Sequence, residues 1–159
     1  MLTYLSSRQV KTVRDSTTPD TWNTPFLDYC SVYWGVHAKR ENSDYGRSLA
    51  LELLKRDYGP LSTELLLAQV KNFKILIFNS FSPFGAIHCA SFFGIVEVVA
   101  DLIKMDCYDI NESDFSGCTP LAWAARNGHG EVVKLLLERK EVNPNKPDIH
   151  RRTPLLFAV

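Results

Sequence analysis

Apolar positions recur at helical spacing in several segments of the chain, and polar or turn-forming stretches separate them. Residues 10–25 are polar and rich in Thr, which is typical of a loop, so we expect residues 1–24 to be poorly structured. Thr24 and Pro25 then suit a helix cap and a first helical position. Apolar side chains follow at spacings of one, three or four from Phe26 to His37, which predicts an amphipathic helix.

A helical hairpin is predicted next. The segment SLALELLKRDYGP, residues 48–60, continues helically until Gly59 and Pro60 stop it, and Ser62 and Glu64 open a further helix in STELLLAQV. Residues 73–81 are too short and too uniformly apolar to distinguish a buried helix from a strand, and we favour a helix. Residues 25–79 are therefore predicted to form a helical linker or capping segment.

From residue 80 onward the chain repeats itself. Three pairs of residues lie 34 positions apart: Gly94 with Gly128, Thr119 with Thr153, and Asp114 with Asp148. The pattern divides the segment into a divergent unit at 80–113, a full unit at 114–147 and an incomplete unit at 148–159. A period of this length indicates a stacked array of helical hairpins.

The residues of the full unit suit such a hairpin. Thr119 can cap a helix whose first position is Pro120, and Gly128 ends it in a conformation that a side chain would resist. The segment from Val132 to Leu137 gives the second helix an apolar face that one hairpin cannot bury alone. Each unit therefore needs a neighbour.

The segment GCTPLAWAARNGHGEVVKLLLE resembles an ankyrin repeat, whose period is about 33 residues with a T-P-L-H-x-A signature. The resemblance implies an all-α fold, in which an N-terminal helical segment precedes an ankyrin-repeat stack, and non-enzymatic protein binding. The residues that match the repeat signature are His88, Gly94, Thr119, Pro120, Leu121, Gly128, Thr153 and Pro154.

The first unit departs from this signature. It has Gly85, Ala86 and Ile87 where the signature has T-P-L, so it lacks both the cap and the proline. We expect its first helix to start less sharply. His88 keeps the signature position, where the family's histidine ties adjacent repeats through hydrogen bonds.

The resemblance also implies partner contacts at hairpin tips and at variable positions of the first helices. The candidate contact residues are Phe92, Phe93, Phe115, Ser116, Trp123, Arg126, Asn127, Ile149, His150 and Arg152. For Phe92 and Phe93 we favour the alternative that they pack against upstream helices around residues 49–70. For Trp123 packing and contact stay equally open.

A second resemblance concerns Leu2 to Glu41. The segments LTYLS and PFLDYCSVYWGVHAKRE resemble the region that joins the nucleotide-binding module to the ankyrin array in fungal NACHT-type (STAND) signalling proteins. The resemblance rests on the spacing of Tyr4, Leu5, Tyr29, Trp34 and His37. It implies an alternative function, a regulatory or sensor fragment of such an ATPase that lacks the nucleotide-binding module.

Charge narrows the partner classes. Eighteen Lys and Arg balance eighteen Asp and Glu, so the chain offers no electrostatic footprint for nucleic acid or anionic lipid. Its start does not resemble a secretory signal and no apolar run approaches membrane-spanning length. We therefore expect a protein partner, no nucleic acid, no membrane, and a cytoplasmic or nuclear location.

No motif predicts catalysis, a metal or a cofactor. None of the eight glycines begins a Walker loop, and the G-x-G around His129 is better explained as turn chemistry. His88 and Cys89 are neighbours, but adjacent side chains on a helix point about 100° apart. Cys107, Cys118, His129 and His150 lack the spacing of zinc ligands. We interpret the four cysteines as reduced, mostly buried thiols.

The segment RTPLLFAV contains only about one helix of the third unit. It therefore leaves the preceding unit without the polar cap that repeat arrays need for solubility. We expect either a truncated array or self-association through Leu155, Leu156 and Phe157.

Overall fold

Helices make up the regular secondary structure of the second half of the chain, and the described residues contain no strand. The computed structural model describes residues 33, 35–40, 43–54, 84–105 and 107–158. It separates the chain into two units, Met1–Phe81 and Ser82–Val159, which are treated individually below. The predicted all-α class is confirmed.

In the first unit, helix α1 spans Asp44–Leu54, and residues 35–40 are also helical. The hydroxyl of Ser43 accepts a hydrogen bond from the Gly46 amide at 3.1 Å, so Ser43 caps α1. Ala50 and Leu54 are buried on one side of the helix. The helix start predicted at Thr24 and Pro25, and the structures predicted for residues 1–24, 62–70 and 73–81, lie outside the described residues.

The second unit is a two-layer stack of short helices. The helices are α2 (Ala86–Phe93), α3 (Val96–Lys104), α4 (Pro120–Arg126), α5 (Gly130–Leu137) and α6 (Pro154–Phe157). Helices α2, α4 and α6 pack side by side in one layer, and α3 and α5 pack together in the other. The first helices start at residues 86, 120 and 154, so the 34-residue period of the sequence is also the period of the structure.

Local sequence sets the ends of α4. The Thr119 hydroxyl accepts a hydrogen bond from the Ala122 amide at 3.2 Å, and Pro120 occupies the first helical position. Beyond the helix, Gly128 has φ +70°, the left-handed conformation that a side chain resists. Both ends of α4 therefore agree with the sequence prediction.

Helix α2 keeps the register of the repeat although its start lacks the signature residues. It starts at Ala86, which is 34 residues before Pro120, although the cap and the proline are missing. The Nδ1 atom of His88 accepts a hydrogen bond from the Gly85 amide at 3.2 Å. The imidazole thus accepts from the amide of the cap residue itself, whereas no hydroxyl is present at 85 to accept from the amide of residue 88, as Thr119 does from Ala122. The less sharp start stays a prediction.

The core lies between the two layers. Ala124 and Ala90 are fully buried in the first layer, where small side chains let neighbouring helices approach closely. Val132 and Leu136 are fully buried on α5, one helical turn apart. Leu137, which the sequence assigns to the same apolar face, is 50% exposed because it follows Leu136 and points away from that face.

Candidate functional site

Two hairpin turns between the helices are organised by an aspartate at their base. Asp114 Oδ1 accepts hydrogen bonds from the Ser116 amide at 2.8 Å, the Ser116 hydroxyl at 2.7 Å and the Cys118 amide at 2.9 Å. Asp148 Oδ1 accepts from the amides of His150 at 2.9 Å and Arg152 at 2.8 Å. Both carboxylates are almost completely buried and hold the turn backbone in one conformation.

The second carboxylate oxygen has a different donor in each turn. Asp114 Oδ2 accepts from the Trp123 indole at 2.8 Å, whereas Asp148 Oδ2 accepts from Arg152 Nε at 2.8 Å and lies 2.7 Å from its Nη2. Burial by itself raises the pKa of Asp148, but the hydrogen bonds from Arg152 and the turn amides hold that pKa below its ordinary value. The turn at Asp148 is therefore anchored by an ion pair.

The tips of successive hairpins touch through their backbones. The Ile149 amide donates to the Ser116 carbonyl at 3.1 Å. Gly117 has φ +77°, and a Cβ there would come within 2.7 Å of the Ile149 nitrogen. The turn therefore requires glycine at 117 for both conformation and space. Arg151 occupies the equivalent position of the next turn with φ +62°, a conformation that is uncommon for a residue with a side chain.

Most predicted contact residues lie at the hairpin tips or near the C-terminal ends of first helices, with exposed or partly exposed side chains. The exposed residues are Arg126, Asn127, Ile149, His150 and Arg152. Phe92, Phe115 and Ser116 are half-buried. Ile149 is 65% exposed, the largest value among the candidate contacts with apolar side chains.

Two of the candidate contact residues are buried. Trp123 is 5% exposed, with its indole bonded to Asp114 and its ring edge-on to Phe84 and Phe92. Phe93 is 6% exposed and packs edge-on against Phe92. Neither side chain is presented to a partner, because the packing of the repeat encloses both. Packing of Phe93 against residues 49–70 stays a prediction.

His88 joins the first repeat to the loop that precedes the second. Its side chain is fully buried, and Nε2 lies 2.9 Å from the Glu112 carbonyl. Since Nδ1 accepts from the Gly85 amide, the neutral ring carries its proton on Nε2 and donates it to Glu112. Burial lowers the pKa of His88 below its ordinary value, although the Asp114 carboxylate and the Glu112 carbonyl oppose this effect.

His129 makes a second tie that the sequence prediction missed. Its Nε2 lies 2.9 Å from the Phe92 carbonyl in the preceding repeat. The ring also fills the space beside Gly94, where a Cβ would come within 2.5 Å of it. The 34-residue period could have indicated this tie, because it makes His129 equivalent to Ile95, which is 4% exposed. A histidine at such a buried position requires a hydrogen-bond partner.

The described cysteines and histidines do not assemble a reactive centre. Cys89 is fully buried, and burial raises the pKa of its thiol, which disfavours the thiolate that a nucleophile requires. Burial also raises the pKa of the Cys118 thiol, while Cys107 is exposed. Cys30 lies outside the described residues. Within the described ranges, no three His, Cys, Asp or Glu side chains are grouped as metal ligands, and no helix is both long and apolar enough to cross a membrane.

Paired helices, repeated every 34 residues and joined by hairpin turns, define a helical-repeat protein. The family model described as "Ankyrin repeats (3 copies)" matches residues 63–159, which is more than half of the chain. The chain belongs to the ankyrin-repeat family.

Two relatives share short stretches with this chain. A probable protein S-acyltransferase 23 of Arabidopsis thaliana is 45% identical over 56 residues, which cover 35% of this chain and 10% of the relative. The transient receptor potential cation channel subfamily A member 1 of Homo sapiens is 40% identical over 55 residues, covering 33% of this chain and 5% of the channel. The chain thus matches a tenth or less of either relative's length.

We expect the contact between His129 and Gly94 to make Gly94→Ala more destabilising than Gly128→Ala. Both glycines have φ +70°, so both variants share a backbone cost of about 1 kcal/mol. Only Gly94→Ala also drives a Cβ into the His129 ring, because nothing lies within 4 Å of a Cβ at 128. The extra cost should be about 1–3 kcal/mol.

Urea unfolding of the two variants measures the difference between their losses of unfolding free energy. In a Gly94→Ala variant that also carries His129→Ala, part of the extra cost should disappear because the ring is gone. Equal losses for the two single variants, or no recovery in the double variant, would contradict the proposed contact between repeats.

We also expect stability to fall as pH drops through and below 6.5, the ordinary pKa of a histidine. The unfolded chain binds a proton at His88 more readily than the buried ring does, so acid favours unfolding. The stabilising effect of the neutral ring is fully present above pH 6.5. It is lost as the pH falls from 6.5 towards the lowered pKa of His88 in the folded chain. Urea unfolding at about pH 7.5 and about pH 5.5 measures the loss. His88→Gln should be less stable than wild type, but its free energy of unfolding should depend less on pH. An unchanged pH dependence in this variant would refute the role of His88 in the loss of stability at low pH.

Proposed function

We propose that this chain binds another protein, without catalysis, through its hairpin tips and the exposed ends of its first helices. Ankyrin repeats are generally protein-interaction modules. The observation that supports this most directly is Ile149, a 65% exposed apolar residue at the tip of a turn anchored by Asp148. His150 and Arg152 flank it with exposed polar side chains.

The rigidity of the tips favours this function. A loop that is ordered before binding loses little conformational freedom when a partner docks. The Asp148 carboxylate holds the backbone at His150 and Arg152, and the Ile149 amide is bonded to the preceding hairpin. Side chains at 149, 150 and 152 therefore project from a backbone that is already in place.

Binding on this surface needs no cofactor and no reactive group. Cys89 is buried with a raised thiol pKa, and the ring nitrogens of His88 are both engaged by the backbone. The chemistry available to a partner is thus shape, hydrogen bonding and charge. We place this binding in the cytoplasm or nucleus, where the cysteines stay reduced.

We expect Ile149→Asp to abolish capture of the protein partner, because it replaces the exposed apolar group with a charge at the centre of the proposed contact. Affinity purification with quantitative mass spectrometry from the source cells would compare it with wild type. Glu131→Arg on the exposed face of α5 is the control. Thermal unfolding should be similar for all three proteins. Partners that are lost with Glu131→Arg and retained with Ile149→Asp would place binding elsewhere and contradict the proposal.

Self-association is a second candidate, favoured by two exposed leucines on α6. Leu155 is 73% exposed and Leu156 is 62% exposed, in a helix whose neighbour on one side is α4. Adjacent large apolar side chains exposed together are typical of contact surfaces.

The mass of the wild-type chain should therefore rise with concentration in light scattering coupled to size exclusion. Leu155→Glu with Leu156→Glu should stay monomeric, whereas Leu137→Glu on α5 should behave as wild type. A wild-type chain that is monomeric at all concentrations would rule out this contact.

A regulatory role beside a NACHT-type ATPase is a further alternative, supported only by the resemblance of Leu2 to Glu41. Most of those residues lie outside the described part of the chain. Coding sequence upstream on the same transcript that encodes a Walker loop would favour this role, and its absence would leave the binding function above.

A further inference from the structure

Arg126 lies against aromatic rings from two successive repeats. Its Cζ atom is 5.2 Å from the centroid of the Trp123 ring and 5.8 Å from that of Phe157. Trp123 and Phe157 occupy the same position of the repeat, 34 residues apart. At these distances the guanidinium is attracted to both rings by cation–π interaction.

A second arginine approaches the same ring but has its charge paired. The Cζ atom of Arg152 is 4.9 Å from the Phe157 centroid, and its Nη2 is 2.7 Å from Asp148. Arg152 therefore contributes little unbalanced charge, whereas Arg126 is exposed and no carboxylate of the described residues forms an ion pair with it.

The acids of the neighbouring turns are already engaged. Asp114 accepts hydrogen bonds from Ser116, Cys118 and Trp123, and Asp148 accepts from its own turn and Arg152. Other acidic side chains, Glu97 on α3 and Glu131 on α5, belong to the other helix layer. Arg151, next to Arg152 on its turn, adds a further exposed positive charge.

Among the described residues, none forms a hydrogen bond or an ion pair with the guanidinium of Arg126. A guanidinium carries five N–H donors in its plane, in a fork that fits both oxygens of a carboxylate. The aromatic contacts restrict the side chain, so less freedom is lost when a carboxylate binds.

We propose that the Arg126 surface, formed by Arg126 and Arg152 over the supporting rings of Trp123 and Phe157, binds an acidic segment of the partner protein. Arg126 donates two hydrogen bonds to one Asp or Glu carboxylate of that segment. The inference rests on the proposed protein-binding function and specifies the chemistry of the partner. A singly charged carboxylate matches the guanidinium of Arg126, which forms no ion pair with a carboxylate of the described residues. The zero net charge of the chain supplies no long-range attraction for a polyanion such as nucleic acid.

The first experiment selects ligands without assuming their sequence. The intact chain, immobilised, is used to select from a phage-displayed library of random peptides of about a dozen residues, with Arg126→Gln selected in parallel. We expect Asp and Glu to be enriched among peptides bound by the wild type and not among those bound by Arg126→Gln. Selected peptides without this enrichment would overturn the acidic-segment inference while leaving protein binding through the tips intact. A selection that yields no peptide would overturn the inference as well.

The second experiment measures affinity by fluorescence anisotropy, using one synthesised acidic peptide from the selection. Arg126→Gln should weaken binding on the order of ten- to hundredfold, the loss expected for hydrogen bonds to a charged group. Arg126→Lys should lie between wild type and Arg126→Gln, because it keeps the charge without the fork. Lys134→Gln removes the same charge from the exposed side of α5 and should leave affinity unchanged.

Three outcomes would overturn the proposal. These are an unchanged affinity in Arg126→Gln, an equal loss in Lys134→Gln, and tighter binding of a phosphoserine version of the peptide, which would indicate a phosphate site. Thermal unfolding of each variant separates loss of binding from loss of folding. Raised salt should weaken wild-type binding more than Arg126→Gln binding.

Discussion

Neither helix layer of one repeat can bury its apolar side chains alone, so the second unit depends on how closely successive repeats approach each other. His129 bridges successive repeats through its hydrogen bond to the Phe92 carbonyl, and His88 ties the first repeat to the Glu112 carbonyl in the loop before the second. Gly94 leaves the space that the His129 ring occupies. A buried polar side chain is costly unless it is bonded, so these ties favour one register of stacking over its alternatives.

The same stacking fixes the backbone of the proposed binding surface. Each Asp holds its own turn, and the backbone contact from Ile149 to Ser116 joins one turn to the next. Gly117 allows this contact because it has no side chain between the two turn backbones. The positions of the surface residues at the tips are thus set by carboxylates that are almost completely buried.

Trp123 connects the interior with this surface. Its indole is bonded to the buried Asp114, and its ring packs against Phe84 and Phe92. The same ring supports the exposed guanidinium of Arg126. For Trp123 the sequence left packing and partner contact equally open, and the structure shows packing. A large aromatic ring has enough surface to pack on one side and hold a cation on another.

The sequence by itself determined the period, the all-α class and the ends of α4, because Thr119, Pro120 and Gly128 act through local backbone geometry. It also located the hairpin tips. Burial of Trp123 and Phe93, the bond from His88 to the Glu112 carbonyl and the tie at His129 were decided by the tertiary structure. The tie at His129 and the rings that enclose Trp123 involve atoms one repeat away. Spacing along the chain places a side chain on a helix face, but only the packed neighbour decides whether that face meets solvent, a carbonyl or a ring.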